Sequence, residues 1–234
     1  MPMSTDDAKH VAVADALAHQ ILEDEWTPGT SKKLEDIQAE FEISRTVARE
    51  ATRLLGSLDC VQFQRGTGVI ALDPATWNDL NTRVITWKLH SRYREDELRA
   101  LTELRLAVEP AAAAGCAQRG SVEARTRVGV LGHEMLRAVA EGRLRDFHSL
   151  DVEFHSTLLA HSGNPLFADF SGLVESVLRG RVEINLYPEH PAQAALDAHA
   201  GVAEAVAAGD ASAAHDAMRS IVTEVNSALG LSAL

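Results

Sequence analysis

Three arginines, Arg45, Arg49 and Arg53, recur at every fourth residue of SRTVAREATRLL. On an α-helix that spacing gathers them within an arc of about 80°. A guanidinium is a planar fork of donors that suits phosphate oxygens and the guanine edge. Val47, Ala51, Leu54, Leu55 and Leu58 fall on the other side, so the helix has a cationic face and a core face. A solvated amphipathic helix shows the same pattern, and the neighbours decide between the two. A short helix and a tight turn precede the arginines, and a hairpin with Arg65, Gly66 and Gly68 follows. A recognition helix reads bases from its N-terminal turns, where Arg45, Thr46 and Arg49 lie. Glycines in a wing let backbone approach the sugar–phosphate wall. A second constellation lies farther along. Asp151 and His155 are four apart and leave one helix face together. They suit either two ligands of zinc, nickel or manganese or a hydrogen-bonded pair. His199 adds a third candidate, and His148 can face the same way.

The elements that position these residues can be read along the chain. Residues 10–25 carry Ala14, Leu17, Ala18, Ile21 and Leu22 at helical spacing, and TPGTS (27–31) ends that run. A short helix follows over 34–41. Ser44 is an N-cap for the arginine helix, which runs to about Leu58. CVQFQRGTGVIAL (60–72) reads as two strands around a glycine turn. The sum is a winged helix-turn-helix over 1–72. LDPATWNDLN opens a linker and connecting helix over 73–90. Helices are then expected near 77–90, 95–118, 121–141, 144–161, 165–186, 192–208 and 210–229, an all-helical domain over 91–234. The fold class is mainly α, with a small β-hairpin wing at the N-terminal side.

Composition narrows the function classes. The 234 residues carry a formal net charge of -12, which argues against diffuse nucleic-acid binding. Residues 44–70 are nonetheless net positive, with Arg45, Arg49, Arg53 and Arg65 against Glu50 and Asp59. A small cationic reader on an acidic body fits that distribution. No apolar run approaches the ~20 residues a membrane span needs, and MPMSTDDAKH has no signal-peptide core, so a cytoplasmic protein is expected. Cys60 and Cys116 sit in no metal or redox spacing and read as reduced thiols.

The stretch from PGT through LEDIQAEFEISRTVAREATRLLGSLDCVQFQRGTGVIAL resembles the DNA-binding domain of GntR-superfamily transcription regulators. LTELRLAVEPAAAA (101–114), DVEFHSTLLAHSGNPLF (151–167) and HAGVAEAVAAGD (199–210) resemble the helical ligand-binding FCD domain of its FadR subfamily. TWNDLNTRVITWKL (76–89) is most similar to regulators of sugar-acid catabolism, such as galactonate-type repressors. The resemblance implies DNA contacts from Arg45, Thr46, Arg49 and Gly66. It implies a divalent metal held by Asp151, His155 and His199, with open positions for water or an effector oxygen. The usual fourth ligand, a histidine, is Ile221 here, and His215 lies off that face, so a metal-free domain stays open. Arg105 matches an arginine that pairs with an effector carboxylate; a salt bridge to Glu109 at i+4 is the other reading. Asn164 is expected to organise a turn. Two departures stand out. Many members carry an arginine where this chain has Glu35, a repulsive charge near DNA, leaving Lys32 or Lys33 for phosphate. The usual glycine before the first wing strand aligns with Cys60.

These residues imply a homodimeric repressor that binds a double-stranded operator and is released by a small carboxylate, a sugar acid or hydroxy acid. The competing readings are a regulator with metal as its signal, and a metal-dependent enzyme. No nucleophile motif, phosphate loop or HExxH supports the last, and no catalytic residue is assigned.

Overall fold

The structure, a computed structural model, describes residues 5–184, 186 and 191–228. Two compact units divide the chain, one running to Arg94 and the other starting at Glu95.

In the first unit, α1 (Thr5–Leu22) is followed by β1 (Ser31–Lys32), α2 (Leu34–Phe41), α3 (Arg45–Ser57), β2 (Val61–Gln64), β3 (Gly68–Ala71) and α4 (Thr82–Leu89). Glu42 ends α2 in the left-handed conformation at φ 52. The next helix starts where Ser44 Oγ accepts the Val47 N–H at 3.3 Å, satisfying one of the amide donors left over at a helix start. The core joins Leu17, Ile21 and Trp26 to Ile37, to Val47, Ala51 and Leu55 of α3, and to Val61 and Val69 of the wing. The wing is a three-stranded antiparallel sheet in the order β1-β3-β2, with Ser31 opposite Ile70 and Gln62 opposite Ile70 on the other side. The expected hairpin thus gains a strand; two residues are too short to show alternation in sequence. The expectation about Cys60 needs correction. The left-handed residue before the wing is Asp59, at φ 59, while Cys60 is fully buried. A short aspartate tolerates that conformation where a glycine would be the default.

Residues 73–90, read from sequence as a linker and connecting helix, contribute Trp77, Val84 and Trp87 to the same core. A single 3-10 turn at Pro74–Thr76 precedes α4, which is shorter than the expected helix over 77–90. Trp77 and Trp87 meet edge to face at 6.1 Å. Asp15 of α1 accepts from Arg83 Nη1 at 2.7 Å and from Trp87 Nε1 at 3.0 Å, clasping α4 to α1.

The second unit is all-helical among the described residues. It comprises α5 (Arg94–Arg119), α6 (Val122–Ala140), α7 (Leu144–Ala160), α8 (Pro165–Asp169), α9 (Ser171–Glu183), α10 (Gln193–Ala208) and α11 (Ala211–Ala228). The expected helix over 165–186 is two helices, α8 and α9, broken at Phe170. Asn164 organises the turn between α7 and α8, its side chain accepting the Leu166 N–H at 3.1 Å. Most of the YPEHP break, with His190, lies outside the described residues. Apolar faces of α5, α6, α7, α10 and α11 share one core, including Leu131, Phe154, Val202, Met218 and Val222. α6 and α10 approach closely because position 132 is glycine; a Cβ there would stand 2.6 Å from Ala203 Cβ. Val152, Leu159, Val174 and Leu178 form a second cluster that seats α9 against α7.

Candidate functional site

The cationic face of α3 is built as its spacing demands. Val47, Ala48, Ala51 and Leu55 turn into the core, which leaves Arg45, Thr46, Arg49 and Arg53 exposed together. Arg65 is exposed at the wing tip, and Gly66 beside it takes φ 82 with nothing near the position a Cβ would occupy. Arg45 Nη2 lies 3.8 Å from Glu35 Oε1 of α2, and Arg53 Nη1 lies 3.3 Å from Glu50 Oε1. Lys32 is occupied within the unit, donating to Gln20 at 2.7 Å and Glu40 at 2.8 Å. Lys33 is exposed at the α2 N-cap.

In the second unit, α7 and α10 bring Asp151, His155 and His199 together. Their ligating atoms lie within 4.8 Å of one another, and all three side chains are buried. His199 Nδ1 lies 2.6 Å from the Ala195 carbonyl oxygen. A carbonyl only accepts, so that nitrogen carries the proton, and Nε2 faces Asp151 Oδ1 at 3.0 Å. In a neutral ring this sets a lone pair against a carboxylate oxygen. His155 is held in the same sense. Its Nδ1 lies 2.5 Å from Glu109 Oε2, and its Nε2 lies 3.4 Å from the same Asp151 Oδ1. Neither ring nitrogen of His155 has a well-aligned hydrogen bond within the protein. Two imidazole nitrogens and one carboxylate oxygen thus converge on a point, and each ring is oriented from behind by an acceptor. That outer-partner arrangement is the one histidine metal ligands take.

The electrostatics agree. Burial opposes the charge on Asp151, yet the His155 and His199 rings facing it outweigh burial and hold the carboxyl well below the usual range. Burial likewise works against a charge on His155, but Glu109 and Asp151 outweigh it and raise the imidazole to about 9. Glu109 is held down to about 2, against its burial, by Arg105 and His155. Buried carboxylates need compensating positive charge; Arg105 supplies part of it at Glu109, and a proton on His155 supplies it between Glu109 and Asp151. A divalent ion bound there takes that proton's place, so the residues present fit a metal. Ile221, where a fourth ligand was considered, is 3% exposed within the apolar core and supplies no donor.

Arg105 is 2% exposed, with Nε 2.5 Å from Glu109 Oε1, so the i+4 salt bridge is realised. Sequence reasoning missed that Glu109 also reaches His155, because the two are far apart in the chain. It missed Arg181 as well, which is 4% exposed on the α9 face that carries Val174 and Leu178. The spacing of Val174, Leu178 and Arg181 held that signal. His148 is half-buried; burial, and then the Arg181 charge, pull its pKa down against the opposing pull of Asp151.

Comparison with known proteins places both units. Residues 9–70 match the model of the bacterial regulatory proteins of the gntR family, and residues 100–224 match that of the FCD domain. The chain belongs to the FCD-domain class of GntR-family regulators. It is 28% identical over 169 residues to the galactonate operon transcriptional repressor of Escherichia coli, covering 71% of this chain and 72% of that one. It is 27% identical over 213 residues to the HTH-type transcriptional regulator LutR of Bacillus subtilis, covering 88% and 94%. Among solved structures, a GntR protein of Streptococcus agalactiae superposes with a TM-score of 0.50 at 25% identity, covering 93% of this chain and 99% of that one. The chain is therefore a GntR/FCD transcriptional regulator, a family whose members bind DNA, and not an enzyme. No helix among the described residues is long and apolar enough to cross a membrane.

Proposed function

We propose that this regulator is a cytoplasmic homodimeric repressor, released from its operator by a small carboxylate bound in the FCD unit. α3 and the wing read DNA: Arg45, Thr46 and Arg49 at base edges, with Arg53, Arg65 and the Gly66 backbone on the sugar–phosphate wall. Asp151, His155 and His199 hold one divalent ion, zinc, nickel or manganese. The observation that carries this reading is the convergence of both Nε2 atoms on one Asp151 oxygen, with Glu109 and the Ala195 carbonyl behind the rings. Three protein ligands leave coordination positions open, so the ion supplies a Lewis-acidic anchor for a hydroxyl or carboxylate oxygen. Arg105 lies behind His155 through Glu109 and adds a buried positive charge that favours an anionic effector. A low aromatic content, 5%, favours a small aliphatic acid over a planar ring system. The similarity to a galactonate operon repressor supports a sugar acid or hydroxy acid.

Calorimetry against aldonic, uronic and short hydroxy acids tests this, run on metal-loaded and chelator-treated protein. Binding that requires the metal and that loosens the DNA complex is the expected outcome. If no acid in the panel binds, the effector belongs to another chemical class.

A further inference from the structure

The reading face of α3 is less cationic than its three arginines suggest. Two of the three have a carboxylate partner. Arg53 pairs with Glu50 one turn back on the same helix, and Arg45 pairs with Glu35, which comes from α2. Arg49 has no ion-pair partner among the described residues. The Glu35 pair is the informative one. Arg45 is the first residue of α3, at the positive end of the helix dipole, and the first turn of α3 holds no acid of its own. Glu35 supplies that missing charge from outside. Glu35 and Arg45 are both well exposed, so the pair adds little to folding stability. Its position at the DNA-facing edge gives it a different consequence.

We infer that Glu35 is a specificity-determining residue, which orients Arg45 toward a base edge and disfavours its use on phosphate. The inference rests on α3 being the helix that contacts DNA. A carboxylate 3.8 Å from one edge of a guanidinium attracts that edge by charge, which favours one plane of the fork and leaves its remaining donors for a second acceptor. Guanine offers O6 and N7 in that plane, and both are compatible with the carboxylate staying in place. A phosphate is different. Its charge brings no base-specific geometry, and it must approach the same guanidinium alongside Glu35, which repels it. The repulsion is short-ranged, since exposed charges are screened beyond about 10 Å at 0.1 M salt. It acts on contacts near Arg45, not on the whole molecule. Glu35 therefore raises the ratio of operator to non-operator affinity by lowering the non-operator term.

The test compares the parent protein with Glu35→Gln, Arg45→Ala and the double variant. Glu25→Gln, an exposed acid elsewhere on the same unit, controls for net charge. The probes are the duplex that the parent protein selects from a random-sequence library and a shuffled duplex of equal length. Glu35→Gln is expected to bind the shuffled duplex several-fold tighter and to leave the selected duplex within about twofold. Its salt dependence on shuffled DNA should steepen by about 0.9 in slope for one added phosphate contact. In the Arg45→Ala background Glu35→Gln should no longer change the ratio. A ratio unchanged in Glu35→Gln, or a rise on both duplexes matched by Glu25→Gln, overturns the inference and leaves the reading of α3 intact. Selected-duplex binding that is indifferent to Arg45→Ala overturns both. Circular dichroism of each variant separates misfolding from either result.

Discussion

At the residue scale, the buried cluster sets its members in different roles. Asp151, His155 and His199 face the convergence point, while Glu109 acts through His155. Glu109→Gln keeps the shape and removes the charge that orients and polarises the imidazole. Metal affinity should fall about 10–100-fold, the usual loss for an outer partner, measured by competition with a chromophoric chelator. Ligands bind metal only when deprotonated, and in the metal-free protein His155 keeps its proton up to about 9, so metal affinity of the parent protein should weaken as pH drops below about 9. A flat affinity from pH 8 to pH 5 would count against imidazole ligation. The two thiols make a separate prediction. Burial, with the Asp59 charge adding to it, pushes Cys60 far above its ordinary value, and burial pushes Cys116 up to about 11. A raised pKa keeps the thiol in its unreactive neutral form, so iodoacetamide at pH 8 should label neither in the folded protein and both after denaturation. The Asp151–His155 pair was legible because an i,i+4 spacing is visible in the sequence. The Glu109–His155 contact was not, since it depends on how α5 packs against α7.

At the scale of elements, local chemistry explains both what the sequence predicts and what it hides. Ser44 marked the start of α3, and Ser44→Ala should cost about 1 kcal/mol of stability, read as a lower melting temperature. Gly132 is the opposite case. Gly→Ala inside a helix normally stabilises by about 1 kcal/mol, but here the new methyl meets Ala203 of α10 at 2.6 Å. The overpacking cost, about 1–3 kcal/mol, should exceed that gain, and thermal unfolding of Gly132→Ala decides the sign. The same contrast governs legibility. Helices α5, α6, α7 and α10 were readable from periodicity with small errors at their ends. β1 was not, because two residues hold no pattern. The break at Phe170 was not, because Phe170 is no helix breaker and the nearby Gly172 sits inside α9 in helical conformation. Asp59 in its left-handed conformation escaped notice because aspartate is also an ordinary residue.

For the whole molecule, the proposed repressor requires its two units to act together. One recognition helix spans only a few base pairs, so operator specificity calls for two copies on a pseudo-palindrome. Light scattering should give a dimer at micromolar concentration; a monomer both free and with DNA would exclude that arrangement. If an acid weakens operator binding, operator must weaken acid binding by the same factor, typically about 5–150-fold. Calorimetry with and without operator checks the equality. The positions of the tryptophans make this coupling observable. The chain has three, Trp26, Trp77 and Trp87, and all are buried in the first unit. Trp87 also donates to Asp15 in the clasp that joins α4 to α1. Indole emission therefore reports on the first unit alone, and the FCD unit is dark at wavelengths that excite only indole. An acid that binds beside Asp151 has no indole in its own unit to disturb. Any change it causes in the colour or intensity of the fluorescence is a message that has crossed from one unit to the other, legible without a label.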